Sequence, residues 1–476
     1  MKRKFKFLFA IPLLLALASC NEVSPTPSLT APSDFVITDN TIKFTEIEGA
    51  KNKAVIWAKD QEGAKNYRVV SSGTAIDELN LEPGEYYMYL EITLNGETVL
   101  TETVAFAIED LDAVKEVGAN EMINSNLVKI IGRNYYDENK NVVMLPHAGS
   151  GFTVRFKGTS LKADLFATNY STNWKRPYLS IIVDGDYDNP TVVSLHQKNT
   201  EGLVLVEGLE YGEHEVTLIK RSESLDSHYG VSKIYSDGKL LERQDKERFI
   251  EILGDSTIAG YGNETKLVSA GKYEDKTSAN SNIMKTFAYI TANELEADYS
   301  IVCASGWGLT GSIWTTPQTV NLFETYRRYY STYDEITKKH VYSNSYYNFS
   351  EGRKADVVII SVGTNDLYYI EDGYKQSIQV GDDRKQKFIT DYKELVEMIS
   401  TMYEGVEIFM VYGAMGEIRM YPTVEAAYDN IKTTMNNVHL VKLYGDQKAI
   451  DYHPSAKSHE EMALDLIAEI KKVKNW

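Results

Sequence analysis

The sequence predicts a multidomain protein in which two all-β regions precede a C-terminal α/β domain with a parallel sheet. The chain of 476 residues has the length of about two to four domains. Before Arg248, short strand-like runs are separated by turn residues, with no helical periodicity between them. After Arg248, strand-like runs alternate with helix-period segments, which is typical of a parallel sheet flanked by helices.

The first β region is predicted over residues 34–112. Strand-like runs occupy residues 54–57, 86–93 and 99–106, and Asn95-Gly96 between the last two is a strong signal for a tight hairpin. No residue pattern in this region is typical of catalysis. We interpret it as a small immunoglobulin-like β-sandwich that serves as a spacer.

The second β region is predicted over residues 113–245. Its strand-like runs lie at 151–156, 161–166, 178–184, 203–206 and 215–220. Turn residues separate them, which favours a jelly-roll-like sandwich.

The α/β domain is predicted over residues 246–476. Four strand-like runs lie at 249–253, 299–304, 357–362 and 408–411. Two later segments place apolar side chains on one helical face, namely Tyr392, Leu395, Val396 and Ile399, and then Met462, Leu466, Ile467 and Ile470. In open parallel sheets, ligands bind beyond the carboxyl ends of the strands.

The N-terminus predicts export and a lipid anchor. Cationic residues from Lys2 to Lys6 precede an apolar run, Phe7 to Ala18, that is too short to span a bilayer. The run ends in Leu17-Ala18-Ser19-Cys20, which resembles a bacterial lipobox and implies a lipoprotein signal peptide over residues 1–19 with diacylglycerol on Cys20. Residues 20–33 then form a proline-containing tether. We expect a protein of the bacterial cell envelope, anchored to the outer membrane and facing the periplasm or the medium; an ordinary secretory signal is the alternative.

Composition argues against several partners and cofactors. The net charge of -18 disfavours nucleic acid, whose phosphates would be repelled. Neither C-x-x-C nor H-E-x-x-H occurs, so the sequence predicts no metal site and no cofactor. After cleavage only Cys303 remains besides Cys20, and its apolar neighbours predict an inert core residue.

Four polar motifs carry the chemistry. Gly254-Asp255-Ser256-Thr257 follows the first strand of the α/β domain, and residues 304–311, Ala-Ser-Gly-Trp-Gly-Leu-Thr-Gly, follow the second. Gly363-Thr364-Asn365-Asp366 follows the third strand, and Asp451-Tyr452-His453-Pro454 precedes the last helix. Because three of the motifs stand at strand ends, packing alone does not account for them.

In this order the motifs resemble the Ser, Gly, Asn and His blocks of the SGNH hydrolase superfamily. The Asp-x-His-Pro form is similar to carbohydrate esterase family 2, which also places a β-sandwich before its hydrolase domain. The resemblance covers roughly residues 116–476. It implies a three-layer, flavodoxin-like SGNH domain and the removal of acetyl groups from carbohydrate.

The resemblance assigns Ser256 as nucleophile, His453 as general base and acid, and Asp451 as the residue that orients the imidazole. A serine hydroxyl needs such a base, and an imidazole with a pKa near ~6.5 can both take and return a proton. By the same resemblance, the oxyanion donors are the Ser256 N–H, the Gly308 N–H and the Asn365 side-chain amide. Asp255 and Asp366 are expected to bond backbone N–H groups and hold their loops.

Aromatic residues near these motifs are candidates for substrate contact. The 33 tyrosines suit sugar rings, but tyrosine also fills β-sandwiches. We expect Trp307, Tyr368 and Tyr369 to touch substrate. The segment from Tyr326 to Phe349, with seven Tyr and one Phe, either walls the cleft or forms a packed flap.

The sequence therefore predicts a serine esterase that removes O-acetyl groups from a xylan- or mannan-type polysaccharide or oligosaccharide. Two alternatives remain open. One is an SGNH lipase, thioesterase or peptidoglycan O-acetyl esterase with the same residues. The other is a non-catalytic glycan-binding lipoprotein.

Overall fold

The computed structural model describes residues 29–59, 63–108, 114–312, 321–334, 339–371 and 378–476. The predicted signal peptide and Cys20 lie outside these residues. Two compact units are present, one formed mainly by the chain up to residue 115 and the other by residues 116–476 without 157–159 and 209–212. No helix in the described ranges combines the length and apolarity that a membrane span requires.

The N-terminal unit is built of strands, as predicted. They are β1 Val36–Thr38, β2 Thr41–Lys43, β3 Lys51–Ala58, β4 Asn66–Val69, β5 Gly84–Leu94, β6 Glu97–Leu100 and β7 Val104–Ile108. β1 and β2 form a hairpin, whereas β4, β3 and β5 lie side by side in a sheet that β6 and β7 complete. Asn95 and Gly96 adopt positive φ between β5 and β6, which confirms the predicted hairpin.

The predicted strand at residues 99–106 is wrong in one respect, because the structure divides it into β6 and β7. β6 pairs with the end of β5, and β7 pairs with its start. Between them, Thr101 uses its hydroxyl to accept the Leu90 N–H at 2.9 Å. Side-chain bonding of this kind competes with the strand ladder, which explains the interruption.

The second β region has twelve strands and one helical turn. They are β8 Glu116–Gly118, α1 Ala119–Met122, β9 Val128–Ile131, β10 Tyr135–Asp137, β11 Val142–Leu145, β12 Gly151–Gly158, β13 Leu161–Ala167, β14 Tyr178–Val183, β15 Thr191–Ser194, β16 Asn199–Val206, β17 Gly212–Lys220, β18 Tyr229–Ser236 and β19 Lys239–Leu241. They form two six-stranded sheets, ordered β10-β11-β18-β13-β16 with β8 on β18, and β15-β14-β17-β12-β19 with β9 on β12. All five predicted strands are confirmed.

The C-terminal region alternates strands and helices. Its elements are β20 Arg248–Gly254, α2 Ser256–Ala259, β21 Leu267–Ser269, β22 Lys272–Tyr273, α3 Phe287–Glu294, β23 Ala297–Cys303, α4 Leu322–Tyr326, β24 Ser331–Asp334, β25 Lys339–Tyr342, β26 Val357–Ser361, α5 Thr364–Ile370, α6 Ile378–Met402, β27 Glu407–Tyr412, α7 Tyr421–Lys432, β28 Val438–Lys442 and α8 Ala456–Lys474. The four predicted strands and both predicted helices are confirmed. β28 was not predicted.

Five of these strands form a parallel sheet in the order β23-β20-β26-β27-β28. Alternate residues of β26 enter different cores: Val357 and Ile359 pack with α3 and α8, whereas Val358 and Ile360 pack with α6 and α7. Both faces of the sheet are therefore covered, which explains why its strands are almost wholly apolar. Cys303, at the end of β23, is buried, as predicted.

A buried ion pair ties the second β region to this sheet. The Glu251 carboxylate of β20 accepts from the Arg133 guanidinium at 3.0 Å. It also accepts from the hydroxyls of Tyr326 at 2.6 Å and Tyr403 at 2.8 Å. A charge removed from water needs such partners, so these contacts fix how the two parts of this unit pack.

Candidate active site

Ser256 stands at the carboxyl end of β20, which lies between β23 and β26 in the parallel sheet, and is the first residue of α2. The Asp255 carboxylate caps this turn by accepting from the Thr257 N–H at 3.0 Å and its hydroxyl at 2.9 Å, which confirms the predicted loop role of Asp255. The first N–H groups of a helix have no intrahelical acceptor. The Ser256 N–H is therefore suited to bind an external anionic oxygen.

Asn365 joins three of the four motifs. It lies in the first turn of α5, directly after β26, and its side-chain amide donates to Asp255 and to the Trp307 carbonyl, both at 3.2 Å. The neighbouring Asp366 accepts the N–H groups of the glycine-rich loop at 2.9, 2.8 and 3.2 Å, from Leu309, Thr310 and Gly311. This confirms the predicted role of Asp366.

The two other candidate oxyanion donors are bonded within the protein. The Gly308 N–H donates to the Gly311 carbonyl at 2.7 Å, and both Asn365 amide bonds are made to protein acceptors. An oxyanion bound here would therefore have to compete with those protein acceptors for the Gly308 N–H and the Asn365 amide. Gly308 has no room for a side chain, because a Cβ there would lie 2.6 Å from the Asp366 carboxyl.

His453 is buried in the loop before α8. Its Nδ1 donates to the Ile450 carbonyl at 3.1 Å, while its Nε2 is buried and has no hydrogen-bond partner in the described ranges. Burial lowers the pKa of His453 to about 4, against the opposing effects of the Ile450 carbonyl and the Asp451 charge. The imidazole is therefore neutral at neutral pH, as a general base must be, but its pKa is well below the ordinary value that the sequence led us to expect.

The structure places Asp451 differently from the prediction. Its carboxylate accepts from the Tyr261 hydroxyl at 3.1 Å, and the orienting bond to His453 comes from Ile450 instead. Asp451 and Tyr452 both have a left-handed backbone, with φ of 52° and 61°. This turn directs the Asp451 side chain towards Tyr261 rather than Nδ1.

Tyr261 connects the serine and histidine motifs. Its backbone N–H donates to the Ser256 carbonyl at 3.1 Å, and its ring stacks on the His453 imidazole with centroids 4.5 Å apart. The flanking Gly260 and Gly262 have positive φ, and a Cβ on Gly262 would lie 2.3 Å from Ile450. These glycines let the two loops approach closely, and a tyrosine between two glycines just after the serine motif is the sequence signal that could have identified this contact.

A charged cluster, formed by two carboxylates of the second β region and Lys276 of the α/β region, reaches the same place. Buried Glu223 accepts the Ser305 N–H at 2.8 Å, at the start of the glycine-rich loop. Lys276 lies 2.5 Å from Asp226 and 3.7 Å from Glu223, and its Nζ is 5.2 Å from the Tyr261 ring centroid. The sequence predicted no site residue in this region, because these partners are far apart in the chain.

Comparison with known proteins identifies part of this unit. Residues 130–243 match the family model described as carbohydrate esterase 2 N-terminal. Residues 130–243 are thus an N-terminal domain of the carbohydrate esterase family 2 type. The matched residues cover the strands from β10 to β19 and include Glu223 and Asp226, so the β region that precedes the parallel sheet is part of the family pattern.

Two curated relatives of this chain have esterase names. The cellulase/esterase CelE of Acetivibrio thermocellus is 31% identical over 345 residues, which cover 69% of this chain but only 37% of CelE. The chain thus spans little more than a third of that relative. An acetylxylan esterase/glucomannan deacetylase of Cellvibrio japonicus is 24% identical over 281 residues, 56% of this chain and 72% of the relative.

Solved structures have the same fold. A family two carbohydrate esterase from Clostridium thermocellum in complex with cellohexaose has a TM-score of 0.60 and 27% identity, and the match covers 73% of this chain and 99% of that one. The acetyl xylan esterase Est2A from Butyrivibrio proteoclasticus has a TM-score of 0.64 at 18% identity, covering 77% and 100% of the two chains. At that identity the second match shows the fold alone.

Of the predicted substrate-contacting aromatics, Trp307 does not fit its role. It is 0% exposed and packs edge-on against Tyr342, so its ring belongs to the core between the parallel sheet and α6 and α7. Tyr368 and Tyr369 are half-buried, and a Cβ on Gly311 would meet the Tyr369 ring at 2.1 Å. Tyr369 therefore packs on the glycine-rich loop.

The described parts of the tyrosine-rich segment form a packed flap. Tyr326, Tyr347 and Phe349 surround the Arg133 guanidinium, with ring centroids 4.6, 4.4 and 4.9 Å from it. Tyr330 stacks on Tyr135 of the second β region at 5.3 Å. For these residues, the structure favours a packed flap over a wall of the substrate cleft.

Tyr452 is an exposed aromatic to which the sequence motifs gave no role. It lies between Asp451 and His453 and is 74% exposed, although its neighbour His453 is buried. A left-handed backbone at a tyrosine is strained, and such strain is concentrated at functional sites. Its position between two motif residues was the signal in the sequence that could have singled it out.

Proposed function

We propose that this chain is a serine esterase that removes O-acetyl groups from a xylan- or mannan-type polysaccharide or oligosaccharide. The observation that carries the proposal is that hydrogen bonds join the serine, glycine and asparagine motifs at the carboxyl end of the parallel sheet, and that Tyr261 connects the serine motif to His453. The esterase names of relatives matched over most of the chain support the choice of reaction.

In the proposed reaction, the Ser256 hydroxyl attacks the acetyl carbon while His453 takes its proton. A neutral imidazole with an uncommitted Nε2 suits this step. The tetrahedral intermediate is stabilised by the Ser256 N–H, together with the Gly308 N–H and the Asn365 amide when these exchange their protein acceptors. His453 then protonates the departing sugar oxygen, and water releases acetate from Ser256 by the same steps.

A polymeric substrate is supported by the exposed face of Tyr452. A flat ring with a hydroxyl at its edge suits a sugar ring. The names of two relatives include acetylxylan esterase or carbohydrate esterase, and one solved relative holds cellohexaose. We therefore propose an acetylated glycan rather than a lipid as substrate.

The reaction is tested by acetate release from a panel of acetylated glycans, together with fluorophosphonate labelling. We expect the wild type to label and release acetate, and Ser256→Ala to do neither while remaining folded. Hydrolysis of p-nitrophenyl octanoate in preference to p-nitrophenyl acetate would favour the lipase or thioesterase alternative. A folded wild type that neither labels nor releases acetate would support the glycan-binding alternative.

The domain organisation and the cellular location are proposed from the same sequence features that predicted them. We propose that the N-terminal unit is an immunoglobulin-like sandwich that acts as a spacer, and that the two six-stranded sheets form a jelly-roll-like sandwich. We also propose that Cys20 is lipidated and holds the protein on the bacterial outer membrane. The lipobox-like residues 17–20 support this location.

A further inference from the structure

Tyr261 contacts three parts of the candidate site at once. Its ring stacks on His453 with an interplanar angle of 26°, its hydroxyl donates to the Asp451 carboxylate at 3.1 Å, and its N–H donates to the Ser256 carbonyl at 3.1 Å. The residue lies in a glycine-flanked loop that is docked on the loop of His453. The Ala456 N–H, for example, donates to the Asn263 carbonyl at 3.2 Å.

The hydrogen bond of the Asp451 carboxylate goes to Tyr261 and not to the His453 imidazole. The Asp451 carboxylate makes no hydrogen bond to His453 among the described contacts, since Nδ1 donates to Ile450. Its partner is the Tyr261 hydroxyl, at the edge of the ring whose face covers the imidazole. The phenol therefore links the carboxylate to the imidazole, with its hydroxyl on Asp451 and its ring face on His453.

We propose that Tyr261 is a positioning residue that couples Asp451 to His453. This inference rests on the proposed function, because it concerns the imidazolium that forms when His453 takes the Ser256 proton. Aromatic faces attract cations, so a stacked ring stabilises that imidazolium more than the neutral base. The hydrogen bond to Asp451 holds the ring in place over the imidazole and increases the electron density of the ring.

Other charged groups also face His453. Lys276 opposes its protonation, whereas Asp451 favours it, and His459 is a further neighbour on α8. Lys276 is itself paired with Asp226 and Glu223. Because these two carboxylates compensate the charge of Lys276, the Tyr261 ring remains able to stabilise a positive charge on His453.

A double-mutant cycle tests the coupling. We expect Tyr261→Phe and Asp451→Asn each to lower kcat on p-nitrophenyl acetate by on the order of tenfold, with KM little changed. The double variant should lose no more than the more affected single variant. Tyr261→Leu, which also removes the ring, should lose substantially more than Tyr261→Phe. The exposed Tyr67→Phe is the matched control and should keep wild-type kcat.

An NMR titration separates this proposal from the esterase assignment, because it needs no turnover. The resonances of His453 are identified with His453→Ala. We expect Asp451→Asn to shift the His453 titration in the wild-type background and to shift it far less in the Tyr261→Phe background. Equal shifts in both backgrounds, or multiplicative losses of kcat in the double variant, would overturn the coupling. An inactive wild type that still shows the background-dependent shift would refute the esterase assignment alone.

Discussion

The Nδ1 atom of His453 lies 3.1 Å from the carbonyl oxygen of Ile450, three residues earlier in the chain. This bond fixes the imidazole with Nε2 as the proton acceptor, which is the task that the sequence assigned to Asp451. Burial lowers the pKa of the imidazole and so keeps the ring neutral, which is the second property that a general base needs. Both features can be measured.

The ionisation of His453 should lie below the range in which free histidine titrates. Since burial lowers its pKa to about 4, His453 should remain neutral from pH 5 to pH 8. Histidine NMR with His453→Ala as the assignment control measures this directly. A fall of kcat/KM between pH 7 and 5 would then belong to Asp255 and Asp366, whose pKa values burial raises to about 6. A His453 titration near pH 6.5 would contradict the buried site.

Asn365→Ala should lower kcat by about 10²–10³-fold, or about 2.7–4 kcal/mol, if its amide stabilises the oxyanion. The fold should persist, because the Asp366 bonds to the glycine-rich loop remain. Steady-state kinetics with p-nitrophenyl acetate measures the loss, and Asn430→Ala, on the exposed face of α7, is the control. A variant with wild-type kcat would remove Asn365 from the oxyanion hole.

Glu251→Gln should destabilise the larger unit by about 3–5 kcal/mol, because it leaves the Arg133 charge buried without its counter-charge. Urea unfolding followed by tryptophan fluorescence measures the change. The exposed pair of Lys457 and Glu461, 3.7 Å apart, gives the control Lys457→Gln, which should leave the transition unchanged. An equal effect of both substitutions would show that burial of the pair does not matter.

The free energy of unfolding should decrease as the pH falls from 6.5 to 4. Four buried histidines have pKa values lowered by burial. In this pH window the unfolded chain therefore binds protons that the native chain does not. Each such histidine lowers the free energy of unfolding by about 1.4 kcal/mol per pH unit. Three buried carboxyls with raised pKa values act in the opposite direction, but they are fewer. The histidines are His147, His228 and His459, each with a pKa of about 3, and His453, and the carboxyls are Asp255, Asp366 and Glu223.

Denaturant titrations at several pH values test this slope. His459→Gln should reduce it, because glutamine cannot take up the proton but can still accept the Phe287 N–H that His459 accepts at 3.2 Å. A free energy of unfolding that stays constant or increases towards pH 4 would show that the histidines are not the dominant groups.

Cys20→Ala should release the protein from the membrane fraction if Cys20 carries the lipid, provided that a signal peptidase still removes the leader. Acyl chains contribute about 0.8 kcal/mol per buried CH₂, and more than one chain gives stable anchoring. Fractionation of cells with and without detergent measures this. A wild-type protein that is soluble without detergent would refute the anchor, and protease treatment of intact cells distinguishes a surface from a periplasmic location.

The sequence by itself determined four of the five strands of the parallel sheet and the motif residues that follow them. Continuous apolar runs predicted β20, β23, β26 and β27, because strands buried on both faces need apolar residues throughout. The sequence did not predict β28 because this strand is short and half-exposed, and His439 and Lys442 interrupt its apolar pattern. Ser256, Asn365 and Asp366 were recognisable because each directly follows or closely follows a predicted strand.

Only the tertiary structure decided what the site residues bond to. Tyr261 and Asp451 are 190 residues apart, and Glu223 reaches Ser305 across 82 residues, so no local pattern specifies either contact. The left-handed turn at Asp451 gave the orienting bond to Ile450, and Trp307 became a core residue through packing. The low pKa of His453 has the same origin, since desolvation depends on every segment that covers the ring and not on its neighbours in the chain.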